Sequence, residues 1–238
     1  MIKTIAFDAD DTLWVNETIF TSTRDKIEHL LRNYVTHKSL DKMLYETEIK
    51  NLNIFGYGIK GFMLSTIETC IEITERQIDG ATIQKLIDLG KDMLNHPVEI
   101  LPGIENAVKS LQEQYQLMII TKGDLFDQES KIARSGLADY FDIIEVVSEK
   151  NEDTYQNLLN KYSIDTENFL MIGNSIKSDI LPICKIGGEA IHIPFHTTWE
   201  HEIVPEKDAD GHRYYTLSSI AELKQCISQI NQRKANFF

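Results

Sequence analysis

Five short apolar runs rich in β-branched residues, most of them separated by helical patterns, constrain this 238-residue chain more than any other feature. They fall at residues 2–7, 117–120, 143–147, 169–172 and 190–193. Runs that are apolar on both faces suit strands buried in a parallel sheet. Between them, Ile104, Ala107, Val108 and Leu111 recur at i, i+3, i+4, i+7, as do Tyr155, Leu158, Leu159 and Tyr162, and Ile220, Leu223, Ile227 and Ile230 mark a last helix. This alternation predicts an α/β fold with a doubly wound, mainly parallel core sheet.

Residues 15–96 break the rhythm. Ile27, Leu30, Leu31 and Tyr34 mark one helix, Ile83, Leu86, Ile87 and Leu94 another, and residues 62–73 read as an apolar helix between them. The stretch carries no strand pattern, and Pro97 and Pro102-Gly103 close it before the alternation resumes. The predicted organisation is an α/β core from residues 1–14 and 97–238, interrupted by an all-helical insertion at 15–96.

Charge narrows the partners. With 24 basic and 37 acidic residues the net charge is −13, which disfavours sequence-independent nucleic-acid binding and anionic membrane surfaces. No apolar run approaches the ~18 residues of a membrane span. The first ten residues meet aspartates too soon for a signal peptide. Cys70, Cys184 and Cys226 are odd in number, far apart and form no CxxC pair, which fits a reducing compartment. A cytoplasmic location is expected, and oligomeric state is left open.

The chemistry-bearing residues gather at strand ends. Asp8 and Asp10 stand two apart at the close of the first run, so the strand period aims both the same way. In open parallel sheets, ligands bind beyond the carboxyl ends of the strands. Taken alone, the pair could equally be an acidic turn or a helix cap. The second run ends in Thr121-Lys122-Gly123, where a hydroxyl, a backbone turn and a glycine allowing close approach suit a phosphate oxygen. Asp124 reads as the cap of the next helix. Lys150 follows the third run, where it is either a point charge for phosphate or an ordinary surface lysine. The fourth run ends in Gly173-Asn174-Ser175, with Asp179 one turn on, an oxygen-rich set suited to Mg²⁺.

Taken together, residues 8–14 (DADDTLW), 120–123 (ITKG), 148–150 (SEK) and 172–180 (IGNSIKSDI) resemble the four motifs of the haloacid dehalogenase superfamily of aspartate-nucleophile hydrolases. The resemblance covers the whole core and implies a Rossmann-like domain, with residues 15–96 as the family's helical cap. It further implies a Mg²⁺-dependent phosphatase acting on a small phosphorylated metabolite through an aspartyl-phosphate. Asp8 would be the nucleophile and Asp10 the general acid and base, with Thr121, Lys122 and Lys150 holding phosphate. Asp8, the Asp10 carbonyl, Asn174 and Asp179 would hold the metal. Tyr57, Lys60 and Phe62 in the cap would select the substrate. Asp10 favours a phosphatase over a dehalogenase, which has no alkoxide to protonate. A phosphomutase, a phosphonate hydrolase using Lys60, and a non-catalytic phosphate-binding protein of the same fold are the alternatives.

Two positions depart from the family pattern. Asn174 stands where an aspartate is usual, which should weaken metal binding and make the site less negative. Asn151 replaces the proline common after the motif-three lysine. Elsewhere, residues 56–61 match GxGxxG letter for letter but follow no strand, so a glycine-rich joint is expected there. His192, His196, His201 and Glu202 resemble a zinc cluster on paper, yet Pro194 interrupts helical i, i+4 geometry, and a strand histidine followed by a surface loop is the plainer reading.

Overall fold

A computed structural model describes residues 1–32, 34, 37–209 and 211–236. Its strands are β1 (Thr4–Phe7), β2 (Gln116–Lys122), β3 (Ile143–Val147), β4 (Phe169–Gly173), β5 (Glu189–His192) and β6 (Tyr215–Thr216). Its α-helices are α1 (Glu17–Leu31), α2 (His37–Phe55), α3 (Ile59–Ile73), α4 (Gly80–Leu94), α5 (Ile104–Gln112), α6 (Leu125–Ser135), α7 (Glu152–Lys161), α8 (Leu181–Lys185), α9 (Glu206–Ala209) and α10 (Leu223–Ala235). The chain divides into two compact units, residues 1–17, 98–122 and 130–238, and residues 18–97 with 123–129.

The first unit is built on a six-stranded sheet of order β3-β2-β1-β4-β5-β6, parallel throughout. This is the doubly wound, Rossmann-like arrangement. The strand period distributes its side chains to two cores. Ile5, Phe7, Leu117, Ile119, Leu170 and Ile172 pack with Ile104 and Val108 of α5 and Leu223 and Ile227 of α10. On the opposite face Ala6, Met118, Ile120 and Met171 pack with Tyr155, Leu158 and Leu159 of α7 and Ile183 of α8. Both faces are covered, which is why these strands read as continuous apolar runs. β6 is only two residues long and left no trace in the sequence pattern.

The second unit is helical among its described residues, with a core of Ile27, Leu31, Leu40, Leu44, Ile59, Phe62, Met63, Cys70, Leu86 and Met93. The sequence pattern missed α2. Its inward face is Leu40, Leu44, Thr47, Glu48 and Asn51, all buried and spaced as a helix requires, but three of the five are polar. Two of those polar groups are paired: Asn51 donates to Glu68 Oε2 at 2.6 Å, and Glu48 lies 3.6 Å from Arg24. The GxGxxG segment is the joint between α2 and α3. Gly56 and Gly58 have φ of 71° and 99°, and a Cβ on Gly61 would stand 2.6 Å from the Gly56 carbonyl oxygen. No helix among the described residues is long and apolar enough to cross a membrane.

Candidate active site

β1 and β4 lie side by side where the winding of the sheet reverses, the place at which open α/β sheets bind ligands. Register sets Phe7 beside Ile172, and the Asp8 amide donates to the Ile172 carbonyl at 2.9 Å, so Asp8 leaves the sheet level with Gly173. Lys150, just past β3, reaches into the same edge. Its Nζ donates to Asp8 Oδ1 at 2.5 Å and to Asp179 Oδ1 at 2.7 Å, and its side chain is 1% exposed. Asp179 Oδ2 accepts from the Ser175 amide at 3.0 Å. That approach needs a glycine at 173, because a Cβ there would lie 2.2 Å from Asp179 Oδ2. Asp179 rides on a π-helical turn, Ile176–Ile180, and the Tyr155 hydroxyl anchors the turn by donating to the Ser178 carbonyl at 3.0 Å.

Two carboxylates sharing one ammonium leave a net negative charge in a buried place. Burial raises the Asp8 carboxyl, Lys150 pulls it down and Asp179 pushes it up again, with the balance at about 7. For Lys150, burial works to lower the amine, and the carboxylates of Asp179 and Asp8 override it and hold the amine well above the ordinary lysine range. A cation at the free side of Asp8 would relieve the excess. The atoms there suit one. Asp8 Oδ2 accepts from the Thr12 hydroxyl at 3.1 Å, and one terminal atom of the Asn174 carboxamide lies 3.2 Å from Asp8 Oδ2, 3.2 Å from Thr12 Oγ1 and 3.3 Å from the Asp10 carbonyl oxygen. A carboxylate, a main-chain carbonyl and a carboxamide make an all-oxygen set of the kind a hard divalent ion takes. Asp179, by contrast, has both oxygens engaged by Lys150 and Ser175.

Thr121, on β2 next to β1, is 1% exposed, and its Oγ1 has no hydrogen-bond partner among the described residues. A buried orphan hydroxyl at a sheet edge is costly unless something binds it. Lys122 goes elsewhere. Its ammonium donates to Glu202 at 2.6 Å and to Ser178 Oγ at 2.9 Å, with Glu149 at 3.5 Å. Asp10 turns to Lys131, which donates to its two oxygens at 2.7 and 2.8 Å, and its Oδ1 also accepts from Trp14 Nε1 at 2.8 Å. Asp11 is the helix cap of the acidic turn, accepting from the amides of Asn16 and Glu17 at the start of α1. Asn151 caps α7, its side chain accepting from the Thr154 amide at 2.9 Å, which gives the departure from proline a structural reason.

The histidines on paper do not assemble as a zinc site. His192 points a ring nitrogen at the Asn174 carbonyl at 3.0 Å, His201 lies beside Lys177, and Glu202 binds Lys122, Ser175 and Ser178. Among the described residues no three His, Cys, Asp or Glu side chains form a metal cage. In the helical unit, Lys60 donates to Asp124 at 2.8 Å and sits over the Phe126 ring, while Asp124 caps α6 through the Asp127 amide. Tyr57 is half-buried, and Phe62 is buried in the helical core, edge-on to Phe20 with Arg24 over its ring. Sequence reasoning missed Lys131 and Thr12. Thr12 could have been found from its i+4 spacing to Asp8, whereas nothing in the sequence ties Lys131 to Asp10.

A family model described as haloacid dehalogenase-like hydrolase matches residues 2–186. The chain is 27% identical over 236 residues to the pyrimidine 5'-nucleotidase YjjG of Escherichia coli (strain K12), covering 94% of this chain and 96% of that one. It is 27% identical over 203 residues to a glyceraldehyde 3-phosphate phosphatase of Pyrococcus abyssi, covering 80% and 81%. A solved haloacid dehalogenase-like family hydrolase from Xanthomonas campestris superposes with a TM-score of 0.89 at 38% identity, over 100% of this chain and 95% of that one.

Proposed function

Because the chain belongs to the haloacid dehalogenase-like hydrolase family, we propose that its strand-end cluster is the active site of a Mg²⁺-dependent phosphatase for small phosphorylated metabolites. The observation that carries this reading is the buried Asp8–Lys150–Asp179 cluster beside an unpartnered Thr121 hydroxyl. A nucleophile, a cation and a spare donor at one sheet edge are what a phosphoryl group requires. The phosphatase and nucleotidase names of the two curated relatives support the same class.

In this proposal Asp8 attacks phosphorus in line, and the phosphorus–oxygen bond to the leaving group breaks as an aspartyl-phosphate forms. Asp10 gives the leaving oxygen its proton, then takes one from the water that hydrolyses the acyl phosphate. Lys131, paired with Asp10, stabilises the carboxylate left after that first transfer. Lys150 and the Thr121 hydroxyl hold the equatorial oxygens as charge spreads over them. Asp8, the Asp10 carbonyl and Asn174 would hold Mg²⁺, which supplies charge neutralisation between the carboxylate and an anionic substrate. The helical unit would serve as the cap that selects the substrate, with Tyr57 and Lys60 as the first residues to vary, and Phe62 acting through packing.

The test is phosphate release from an aryl phosphate in the presence of Mg²⁺. Wild type should turn over, and Asp8→Asn should lose at least about 10³-fold in kcat, as expected when a nucleophile is removed. Wild type should release no halide from a 2-haloacid. Equal phosphate release by both proteins, or halide release by wild type, would overturn the assignment.

A further inference from the structure

The Asn174 side chain sits at the focus of three oxygens: Asp8 Oδ2, Thr12 Oγ1 and the Asp10 carbonyl, at 3.2, 3.2 and 3.3 Å. An amide has one end that donates and one that accepts, and which end faces the three decides the character of the site. With nitrogen inward, the NH₂ donates to oxygens that otherwise face each other. With oxygen inward, the group can accept from Thr12 but sets a further acceptor against Asp8 Oδ2 and the Asp10 carbonyl, a contact that a cation among them makes favourable. Thr12 can follow either arrangement, because a hydroxyl donates or accepts by rotating its proton. The main chain of Asn174 is meanwhile held in place. Its carbonyl accepts from the ring of His192 at 3.0 Å, and β4 ends one residue earlier. A carbonyl oxygen can only accept, so the ring Nε2–H is the donor in that contact. Rotation about the last side-chain bond is therefore the movement the site allows, and such sp³–sp² torsions are soft and roughly two-fold.

We propose that Asn174 is a reversible latch on the divalent-cation site, closing the oxygen cluster with its NH₂ and exchanging it for the carbonyl oxygen when the ion binds. An aspartate at 174 could not do this. It would hold the ion more tightly, yet without the ion it would set a further carboxylate against Asp8, already one of two sharing Lys150. The latch trades affinity for a site that stays folded and satisfied when the ion leaves. This inference rests on the reading of the Asp8 edge as a cation site and is independent of which phosphate ester is hydrolysed.

The experiment compares wild type with Asn174→Asp by thermal melting in EDTA and across a Mg²⁺ titration, using the metal alone. In EDTA, Asn174→Asp should melt roughly 2–4 °C below wild type. Its apparent Kd for Mg²⁺, read from the rise in Tm, should be about tenfold lower or less, since ligand charge sets affinity at such sites. A ¹⁵N spectrum of wild type should show one side-chain NH₂ pair, identified by its absence in Asn174→Ala, shifting on saturation with Mg²⁺. Equal melting in EDTA with equal Mg²⁺ affinity overturns the latch, and so does an Asn174 NH₂ signal unmoved by saturating Mg²⁺. The second criterion needs only wild type and Asn174→Ala, so it decides the matter even if Asn174→Asp does not fold. Failure of the phosphatase reading would appear separately, as absent phosphate release from a protein that still shows both Mg²⁺ responses.

Discussion

Thr121 illustrates at the scale of one residue how the proposed site would be held ready at the expense of the fold. Its hydroxyl is buried and unpartnered, a condition worth about 1–3 kcal/mol of destabilisation. Valine keeps the shape and removes the orphan. Thr121→Val is therefore expected to raise Tm by a few degrees while lowering kcat/KM on an aryl phosphate by about 10²-fold, the usual effect of losing one charge-stabilising donor. A variant that melts lower and keeps full activity would assign the hydroxyl to folding. Asp8, Thr121, Lys150 and Asp179 were all legible in the sequence because each closes or follows a strand, and parallel strands put their carboxyl ends at one edge. Lys122 sat beside Thr121 in the same motif, yet alternation along β2 turns it to Glu202 and Ser178. Lys131 was not legible, because only the packing of α6 on the sheet brings an ordinary helical lysine within 2.8 Å of both Asp10 oxygens.

At the scale of elements, the π-helical turn that carries Asp179 depends on a carboxylate from a distant single turn. Glu202, on the turn Glu200–Glu202, accepts from Ser175 Oγ at 2.5 Å, Ser178 Oγ at 2.6 Å and Lys122 Nζ at 2.6 Å. Burial pushes the Glu202 carboxyl up, but Lys122 and the two serines overcome it and hold it at about 2. A depressed acid contributes stability that is complete above its unfolded value and fades as pH falls through the folded one. The window here runs from about 4.5 down to about 2, and a lowering of that size corresponds to on the order of 3 kcal/mol. Glu202→Gln is expected to melt well below wild type at pH 7, with the gap shrinking steadily on acidification through that window. A gap that stays constant from pH 6 to 3 would remove Glu202 from the account of the turn. Sequence patterning could not reveal this tie. It finds elements whose buried faces are apolar, such as β1, β2, β4 and α4, and misses those whose inward groups are polar and paired, such as α2 and the Glu202 turn.

Over the whole molecule, the net charge of −13 opposes the approach of any phosphate ester, while in the proposed site Lys150 and the Thr121 hydroxyl would attract it at contact. The two effects act over different distances and so respond differently to salt. Raising ionic strength from 0.01 to 0.1 M shortens the screening length from about 30 Å to about 10 Å. That change removes most of the repulsion from charges spread over the surface. It scarcely touches a pair such as Lys150 and Asp8, which is buried and 2.5 Å apart. Electrostatic steering in a complementary field slows association as salt rises, and a repulsive field must do the reverse. For a dianionic substrate at fixed Mg²⁺, kcat/KM is therefore expected to rise severalfold over that range, with kcat nearly unchanged. Potassium chloride titration of initial rates would measure it, with a phosphate monoester of lower net charge, one that also carries an ammonium group, as the control that should respond less. A fall in kcat/KM would mean that a cationic approach outweighs the net charge, and neutralising surface lysines one at a time would then locate it.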